Sequence, residues 1–204
     1  MTLPPPAQRE RVPLSFMLFS DFTNIECYAL NEFLSGSPAN ARVAWKGVQI
    51  FPSLPAVQRD LTRRESEQLE DEIVEIRRRV PTLDVTLPRA RPSTTRAILA
   101  VASVVRLHSA KAIAFRDAVY RAYWRDGADL SSAATLQRIA DQAGVPRFVD
   151  LSHPAAEDEV EEWEVDFSTE RLGGVPRAIR SDGTILWGHR PVEELEAYFG
   201  ASRE

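Results

Sequence analysis

Residues 14–30 read LSFMLFSDFTNIECYAL, and this stretch decides the fold that the rest of the chain must complete. Its first six residues form a short apolar run, which predicts a buried β-strand. A helix is predicted to follow, because Thr23 and Glu26 have the T-x-x-E spacing of a capping box, with Asn24 as the first helical residue. Cys27, the only cysteine of the chain, would then lie in the first turn of that helix.

The segments further along extend this beginning into a mixed sheet covered by helices. Residues 41–50 predict a second strand, so the chain opens as β-α-β. Asp182 and Gly183 give the strongest hairpin signal in the chain, and a closing helix follows the hairpin. With a helix over residues 154–174, the second half has the order α-β-β-α. The two halves together predict an α/β protein with one mixed sheet.

Residues 57–149 lie between the two halves and predict a mainly helical insertion. Within the insertion, residues 61–80 predict a highly charged helix. Its narrow apolar stripe has the spacing i, i+4, i+7 and is formed by Leu69, Ile73 and Ile76. We interpret the charged face as a solvated cover, with a contribution to a partner surface as the alternative.

Composition excludes several classes of function. The 30 acidic and 25 basic residues give a net charge of −5, which argues against a nucleic-acid binder. A single cysteine excludes an internal disulfide and a zinc site built mainly on cysteines, and the three histidines have no metal-ligand spacing. No apolar run approaches the roughly 18 to 20 residues of a membrane span, and the N-terminus lacks a signal-peptide pattern. We therefore expect a cytoplasmic protein without a metal or a membrane partner.

The order of elements resembles the DsbA-like branch of the thioredoxin fold. In that family the first helix opens with Cys-x-x-Cys, and SDFTNIECY matches this position with Asn24 in place of the first cysteine and Cys27 in place of the second. The family also has a Val-Pro pair with a cis proline before its third strand, which GGVPRAI matches at Val175 and Pro176. Residues 91–146 resemble the helical insertion of FrnE-like members. Similar chains include 2-hydroxychromene-2-carboxylate isomerases and kappa-class glutathione transferases.

The resemblance implies a thioredoxin fold with an inserted helical domain, and it implies a site where the stretches near positions 24 and 176 meet. The domain boundaries expected are a disordered lead-in at 1–13, a thioredoxin-like domain at 14–56 and 150–204, and the helical insertion at 57–149. The catalytic candidates are Asn24 and Cys27. The candidates for substrate binding are Thr23, Ile25, Glu26, Val175, Pro176 and His189.

Membership of this family implies thiol-disulfide chemistry, but at a degenerate N-I-E-C site. Disulfide exchange needs a thiolate that attacks and a second thiol that resolves the mixed disulfide. Because Asn24 has no thiol, a two-cysteine cycle within this chain is impossible. We therefore expect weakened or altered thiol chemistry, with Cys27 as a monothiol and a small-molecule thiol or a peptide or protein thiol as substrate.

Two other functions stay open. Relatives with serine at the first active-site position bind glutathione, and Asn24 could support the glutathione sulfur with its amide N–H. This isomerase or transferase would hold no tightly bound cofactor, and His189 matches the relatives' glutathione-binding segment only partly. The other alternative is a non-catalytic protein that binds a partner beside Val175 and Pro176. Because related proteins often pair, a homodimer is also expected.

Three of the site residues have a structural interpretation as well. Free cysteine is among the most buried residue types, so Cys27 fits a small hydrophobic core residue. Asn24 fits a local helix cap. Glu26 fits the capping partner of Thr23.

Overall fold

The computed structural model describes residues 15–56, 58–145, 154–170 and 173–200. Within these ranges the elements follow in the order β1 (Phe16–Ser20), α1 (Ile25–Ser35), β2 (Val43–Gly47), β3 (Arg59–Asp60), α2 (Arg63–Arg79), β4 (Ala90–Arg91), α3 (Thr95–Leu107), α4 (Ser109–Trp124), α5 (Ala133–Gln142), α6 (Pro154–Thr169), β5 (Arg177–Arg180), β6 (Ile185–Trp187) and α7 (Val192–Gly200). A 3₁₀-helix, Pro38–Arg42, leads into β2. The lead-in predicted for residues 1–13 lies outside the described ranges.

The main sheet has four strands in the order β2-β1-β5-β6. β1 and β2 are parallel, with Phe16 opposite Val43, and α1 provides the crossover that a parallel pair requires. β5 is antiparallel to β1 and forms a hairpin with β6. The hairpin turn lies at Asp182 and Gly183, where Gly183 has a φ of +89°. The mixed sheet predicted from the sequence is confirmed.

The charged helix predicted at 61–80 is α2. Thr62 caps it, with Glu65 as the reciprocal partner of a capping box. Leu69, Ile73 and Ile76 are buried, as their spacing predicted, and the helix packs with this stripe against α1. The two-residue strands β3 and β4, which precede and follow α2 along the chain, pair with each other in antiparallel orientation. The helix predicted at 154–174 is α6, which ends at Thr169 and is therefore shorter than predicted.

Apolar side chains fill both faces of the main sheet. Phe16, Leu18 and Trp45 belong to a large core that continues into the buried faces of α1, α3, α4 and α5. The opposite face carries a smaller cluster around Phe19 and Val48. The predicted insertion therefore shares its core with the sheet, and its status as a separate domain stays a prediction. Within the described ranges, the helices are too short or too polar to span a bilayer.

Candidate functional site

One end of the sheet brings the two predicted parts of the site together. β1 pairs with β5 so that Phe19 lies opposite Arg177, which places the C-terminal end of β1 beside the N-terminal end of β5. Pro176 directly precedes β5, and its peptide bond with Val175 is cis. α1 begins at Ile25, a few residues beyond the end of β1. That Asn24 faces a groove opposite Pro176 stays a prediction.

The start of α1 differs from the prediction. Asn24 is the N-cap, and its Oδ1 accepts a hydrogen bond of 2.9 Å from the backbone N–H of Cys27. Thr23 instead donates its backbone N–H and its hydroxyl to Oδ1 of Asp21, at 2.7 and 2.8 Å. The predicted capping box of Thr23 and Glu26 is therefore wrong. The buried Asp21 carboxylate accepts both hydrogen bonds of Thr23, so Thr23 does not cap the helix. Asn24, which is also a strong cap former, caps it instead.

Asp21 fixes the backbone next to the site, and its role was not predicted from the sequence. Its carboxylate is 1% exposed and accepts further hydrogen bonds from the Ile50 N–H at 3.0 Å and the Thr94 hydroxyl at 3.2 Å. Burial raises the pKa of the Asp21 carboxyl, against the hydrogen bonds that lower it. The residue therefore joins the end of β1 to the loops after β2 and before α3. An acid directly after an apolar strand was the signal in the sequence.

Cys27 is a core residue. It is 1% exposed, and its Sγ accepts a long hydrogen bond from the Asp21 N–H at 3.5 Å. Burial raises the pKa of the Cys27 thiol far above its ordinary value. Since the thiolate is the nucleophile in cysteine chemistry, this environment supports the structural interpretation of Cys27 and disfavours the monothiol interpretation.

Glu26 connects three elements. Its Oε1 lies 3.4 Å from Nη1 of Arg79 on α2, and its Oε2 accepts a hydrogen bond of 3.3 Å from the backbone N–H of His189. Arg79 also donates to the carbonyl oxygen of His189 at 2.9 Å. Through these contacts, Glu26 and Arg79 connect the start of α1 to α2 and to the turn between β6 and α7.

The ring of His189 is buried, with 3% of the residue exposed. Burial and the nearby charge of Arg79 lower the pKa of the ring to about 4, so the ring is neutral at pH 7. His189 also lines a second cavity, of about 280 Å³, together with residues such as Phe33 and Arg125 that lie away from the start of α1. Near the start of α1, His189 therefore interacts through its backbone N–H and carbonyl groups.

A cavity of about 480 Å³ lies between the start of α1 and α2. It contains three of the predicted site residues, Asn24, Ile25 and Glu26, whereas Thr23, Cys27, Val175, Pro176 and His189 are not among its lining residues. The side chains that α2 contributes are Asp71, Glu72, Glu75, Ile76 and Arg79. The three acids of this set, which flank the apolar stripe of the helix, were not predicted from the sequence to be site residues. Among the described residues, no group of three or more histidine, cysteine or acidic side chains could hold a metal ion.

The sheet order, the crossover helix and the cis proline before β5 define a thioredoxin-fold protein. The family model described as DSBA-like thioredoxin domain matches residues 10–200. The chain therefore belongs to the DSBA-like thioredoxin domain family, and the resemblance stated from the sequence is confirmed.

Solved structures with the same fold include both redox enzymes and an isomerase. A probable DsbA oxidoreductase from Streptomyces coelicolor is 16% identical with a TM-score of 0.74, over 91% of this chain and 88% of that one. A 2-hydroxychromene-2-carboxylate isomerase is 19% identical with a TM-score of 0.68, over 91% and 94%. The cytosolic disulfide reductase DsbM from Pseudomonas aeruginosa, solved with GSH, is 13% identical with a TM-score of 0.65, over 92% and 100%. At these identities the similarity shows the fold alone. No curated protein matches the sequence significantly.

Proposed function

We propose that this protein performs an altered form of its family's thiol chemistry, in which the sulfur belongs to a bound ligand and not to the protein. Asn24 would support that sulfur at the start of α1. The single observation that carries the proposal is the position of Asn24, which caps α1 with its side chain and is one of the residues that line the cavity. This function corresponds to an isomerase or transferase that depends on an external thiol such as glutathione.

The orientation of the Asn24 amide supports this role. Its Oδ1 is engaged by the Cys27 N–H, which fixes the plane of the amide and leaves the Nδ2 group as a donor. The described residues provide no hydrogen-bond partner for Nδ2. A bound thiol sulfur, which is a weak acceptor as a thiol and a stronger one as a thiolate, would complete this donor. The positive end of the α1 dipole favours an electron-rich atom at the same place.

The state of Cys27 argues against a redox cycle within the chain. The thiol is buried and its pKa is raised, so at neutral pH it remains protonated and inaccessible to a substrate disulfide. With one cysteine in 204 residues, no second thiol can resolve a mixed disulfide. A reactive sulfur at this site must therefore come from a ligand. The isomerase and the GSH-bearing structure among the similar proteins lend the proposal further support.

Ligand-induced stabilisation tests the proposal. The melting temperature would be measured with 2-mercaptoethanol and with ethylene glycol, which replaces the sulfur by oxygen. We expect only the thiol to raise the melting temperature, with a stabilisation of about 1.4 kcal/mol at ten times Kd. Asn24→Ala should abolish the response and Cys27→Ala should retain it. An equal response in Asn24→Ala, or a response that needs Cys27, would contradict the proposal.

A second candidate function is binding of a peptide or protein without catalysis. The observation that favours it is the half-buried Val175 next to the cis bond, at the N-terminal end of β5. A partner that copurifies with the wild type but not with Val175→Asp, while thiols fail to stabilise either protein, would support this function over the first.

The compartment and the oligomeric state are separate proposals. We infer a cytoplasmic location because a lone, reduced cysteine suits that compartment, and cell fractionation tests it. We also propose a homodimer, which sedimentation of the purified chain tests.

A further inference from the structure

We infer that the outer edge of β6 is a docking site for a partner protein, which adds an extended, acidic segment to the four-stranded sheet as a further strand. The groove beside this edge shares no lining residue with the cavity at the start of α1. The inference is therefore independent of the proposed thiol chemistry, and it adds an interaction surface to the protein.

The outward main-chain groups of β6 are unpaired. β6 is the last strand in the order β2-β1-β5-β6. Leu186 lies opposite β5, and the main-chain groups of Thr184 and Gly188, two residues to either side, bond to the β5 segment as well. Because these groups alternate in direction along an antiparallel strand, the N–H and C=O groups of Ile185 and Trp187 face away from β5. No described residue bonds to them.

The edge lacks the features by which proteins usually prevent strand addition. β6 has the sequence Ile-Leu-Trp, without a charge or a proline. Ile185 and Trp187 are 40% and 47% exposed, whereas Leu186 between them is buried. An exposed apolar edge strand is a template for another strand, and strand addition is a common mode of peptide recognition. We therefore expect an extended polypeptide to occupy this edge.

A groove of about 530 Å³ lies beside the edge, between β6 and α7. It is lined by the three residues of β6, by Arg180 and Arg190, and by α7 residues that include Glu194 and Tyr198. Arg180 is paired with Asp182 at 3.0 Å, whereas Arg190 is exposed and has no ion-pair partner among the described residues. Two guanidinium groups against one carboxylate give the groove a positive charge, which favours an acidic partner.

A third cation lies under the edge. The guanidinium of Arg177 contacts the ring of Trp187, and the residue is 2% exposed. Its Nε and Nη1 have no hydrogen-bond partner, while Nη2 donates to the carbonyl oxygen of Gly174 at 3.3 Å. Burial lowers the pKa of Arg177 to about 10, so the group is charged at pH 7. A buried charge without an opposite charge is costly, and an acidic partner would compensate it.

The two sides of the edge suit different side chains of the added strand. The guanidinium of Arg180 lies over the ring of Tyr198, on the α7 side of the sheet. Trp187 and Ile185 lie on the opposite face, which carries the smaller apolar cluster. Because side chains of a strand alternate between its faces, a segment of alternating acidic and apolar residues fits both sides. A second copy would bring the same arginines to the groove, so repulsion disfavours pairing of two β6 strands.

Intrinsic fluorescence tests the inference, because Trp187 is exposed whereas the other three of the four tryptophans are buried. Acetylated and amidated hexapeptides of alternating valine and glutamate, or valine and lysine, would be titrated into the full chain at low salt. We expect the acidic peptide to shift the emission and to bind about tenfold more tightly than the basic one. The difference should shrink as the salt concentration rises, because exposed charges are screened.

A charge variant and modified peptides separate the two parts of the inference. Arg190→Gln should weaken binding of the acidic peptide about threefold. Arg64→Gln is the matched control, because Arg64 is exposed on α2, removes the same charge and does not line the groove. Circular dichroism of both variants confirms that the fold is retained.

Methylated acidic peptides test strand addition directly. The amides of the valines and of the glutamates face opposite edges of an extended peptide, so only one of the two sets faces β6. N-methylation of one set should therefore abolish binding, and N-methylation of the other should retain it.

Each part can be overturned. Equal affinities for the acidic and basic peptides, or an unchanged affinity in Arg190→Gln, would overturn the acidic nature of the partner. Binding of both methylated peptides would overturn strand addition. If neither hexapeptide binds, the inference as a whole is overturned, and a dimer that Trp187→Lys dissociates in sedimentation would then identify a second copy as the occupant. The thiol tests of the proposed function are unaffected by all of these results.

Discussion

The side-chain oxygen of Asn24 accepts the backbone N–H of Cys27 across 2.9 Å, and this hydrogen bond closes the first turn of α1. The first N–H groups of any helix have no partner within the helix. Asn24 satisfies one of them from the position where the family's first cysteine would stand. The same residue therefore stabilises the helix and lines the cavity between α1 and α2. Function and stability are linked at this position, and variants must be chosen to separate them.

Asn24→Ala should destabilise the protein by about 1 kcal/mol, because alanine cannot cap the helix. Asn24→Asp should retain the stability, because its carboxylate caps the same N–H and interacts favourably with the helix dipole. Urea unfolding at pH 7 measures both values. If both variants lose the same free energy of unfolding, the cap contributes little, and another interaction of the Asn24 amide accounts for the lost stability.

Cys27 should be inert in the folded protein. The buried, protonated thiol should not react with a disulfide reagent such as dithionitrobenzoate at pH 7.5, whereas the same chain in urea should react within seconds. Native reactivity close to that of the unfolded chain would restore the monothiol function that the burial disfavours.

The raised pKa of Cys27 also predicts how stability depends on pH. Folding favours the protonated thiol, so the contribution is fully present below the pKa of the unfolded cysteine, about 8.5, and is lost as the pH rises above it. Relative to Cys27→Ala, the wild type should lose about 1.4 kcal/mol of stability between pH 7.5 and pH 9.5. The tyrosines with raised pKa values are present in both proteins and cancel in the difference. Parallel pH dependences in the two proteins would show that the thiol ionises in the folded state.

The mixed sheet was predictable because its signals are local. The apolar run predicts β1, and the Asp-Gly turn predicts the hairpin of β5 and β6. The order of the elements along the chain then restricts how the strands can pair in one sheet. The spacing of Leu69, Ile73 and Ile76 likewise predicted the buried face of α2. These features depend on neighbouring residues, which the sequence displays directly.

The residues of the site depend on contacts between distant segments, and there the sequence was less informative. Thr23 and Asn24 both suit a helix cap, and the choice between them follows from Asp21, which is buried by packing and takes the Thr23 donors. The acids of α2 were visible as a solvated face, but the sequence could not show that this face borders the start of α1. His189 was expected to contribute to substrate binding, and this stays a prediction; in the structure the residue is buried and its backbone N–H donates a hydrogen bond to Oε2 of Glu26.

Asn24→Cys should restore disulfide exchange to the site. The introduced thiol, at the helix start, would attack a substrate disulfide and release one substrate thiol. Cys27 would then displace the second substrate thiol and form an intramolecular disulfide, which dithiothreitol reduces. We expect measurable insulin reduction where the wild type has none. Asn24→Cys combined with Cys27→Ala is the control, and it should stop at the mixed disulfide, detectable by mass spectrometry. Absence of both products would mean that substrates cannot reach this position.

Substitution of Gly188 tests whether Glu26 connects the start of α1 to the turn after β6. Its φ is +65°, and a Cβ at this position would lie 2.9 Å from Oε2 of Glu26. Gly127 has the same φ with no atom within 4 Å of such a Cβ, so Gly127→Ala measures the backbone strain alone, about 1–2 kcal/mol.

Gly188→Ala should cost a further ~1 kcal/mol in urea unfolding, because the added methyl group displaces Glu26 from the N–H of His189 and from Arg79. The end of the Glu26 side chain can move, which keeps this extra cost modest. In a Glu26→Ala background the extra cost should vanish, so that Gly188→Ala and Gly127→Ala become equal. If the difference between the two glycine variants persists without Glu26, the turn is held by other contacts, and Glu26 is not the residue that joins it to the start of α1.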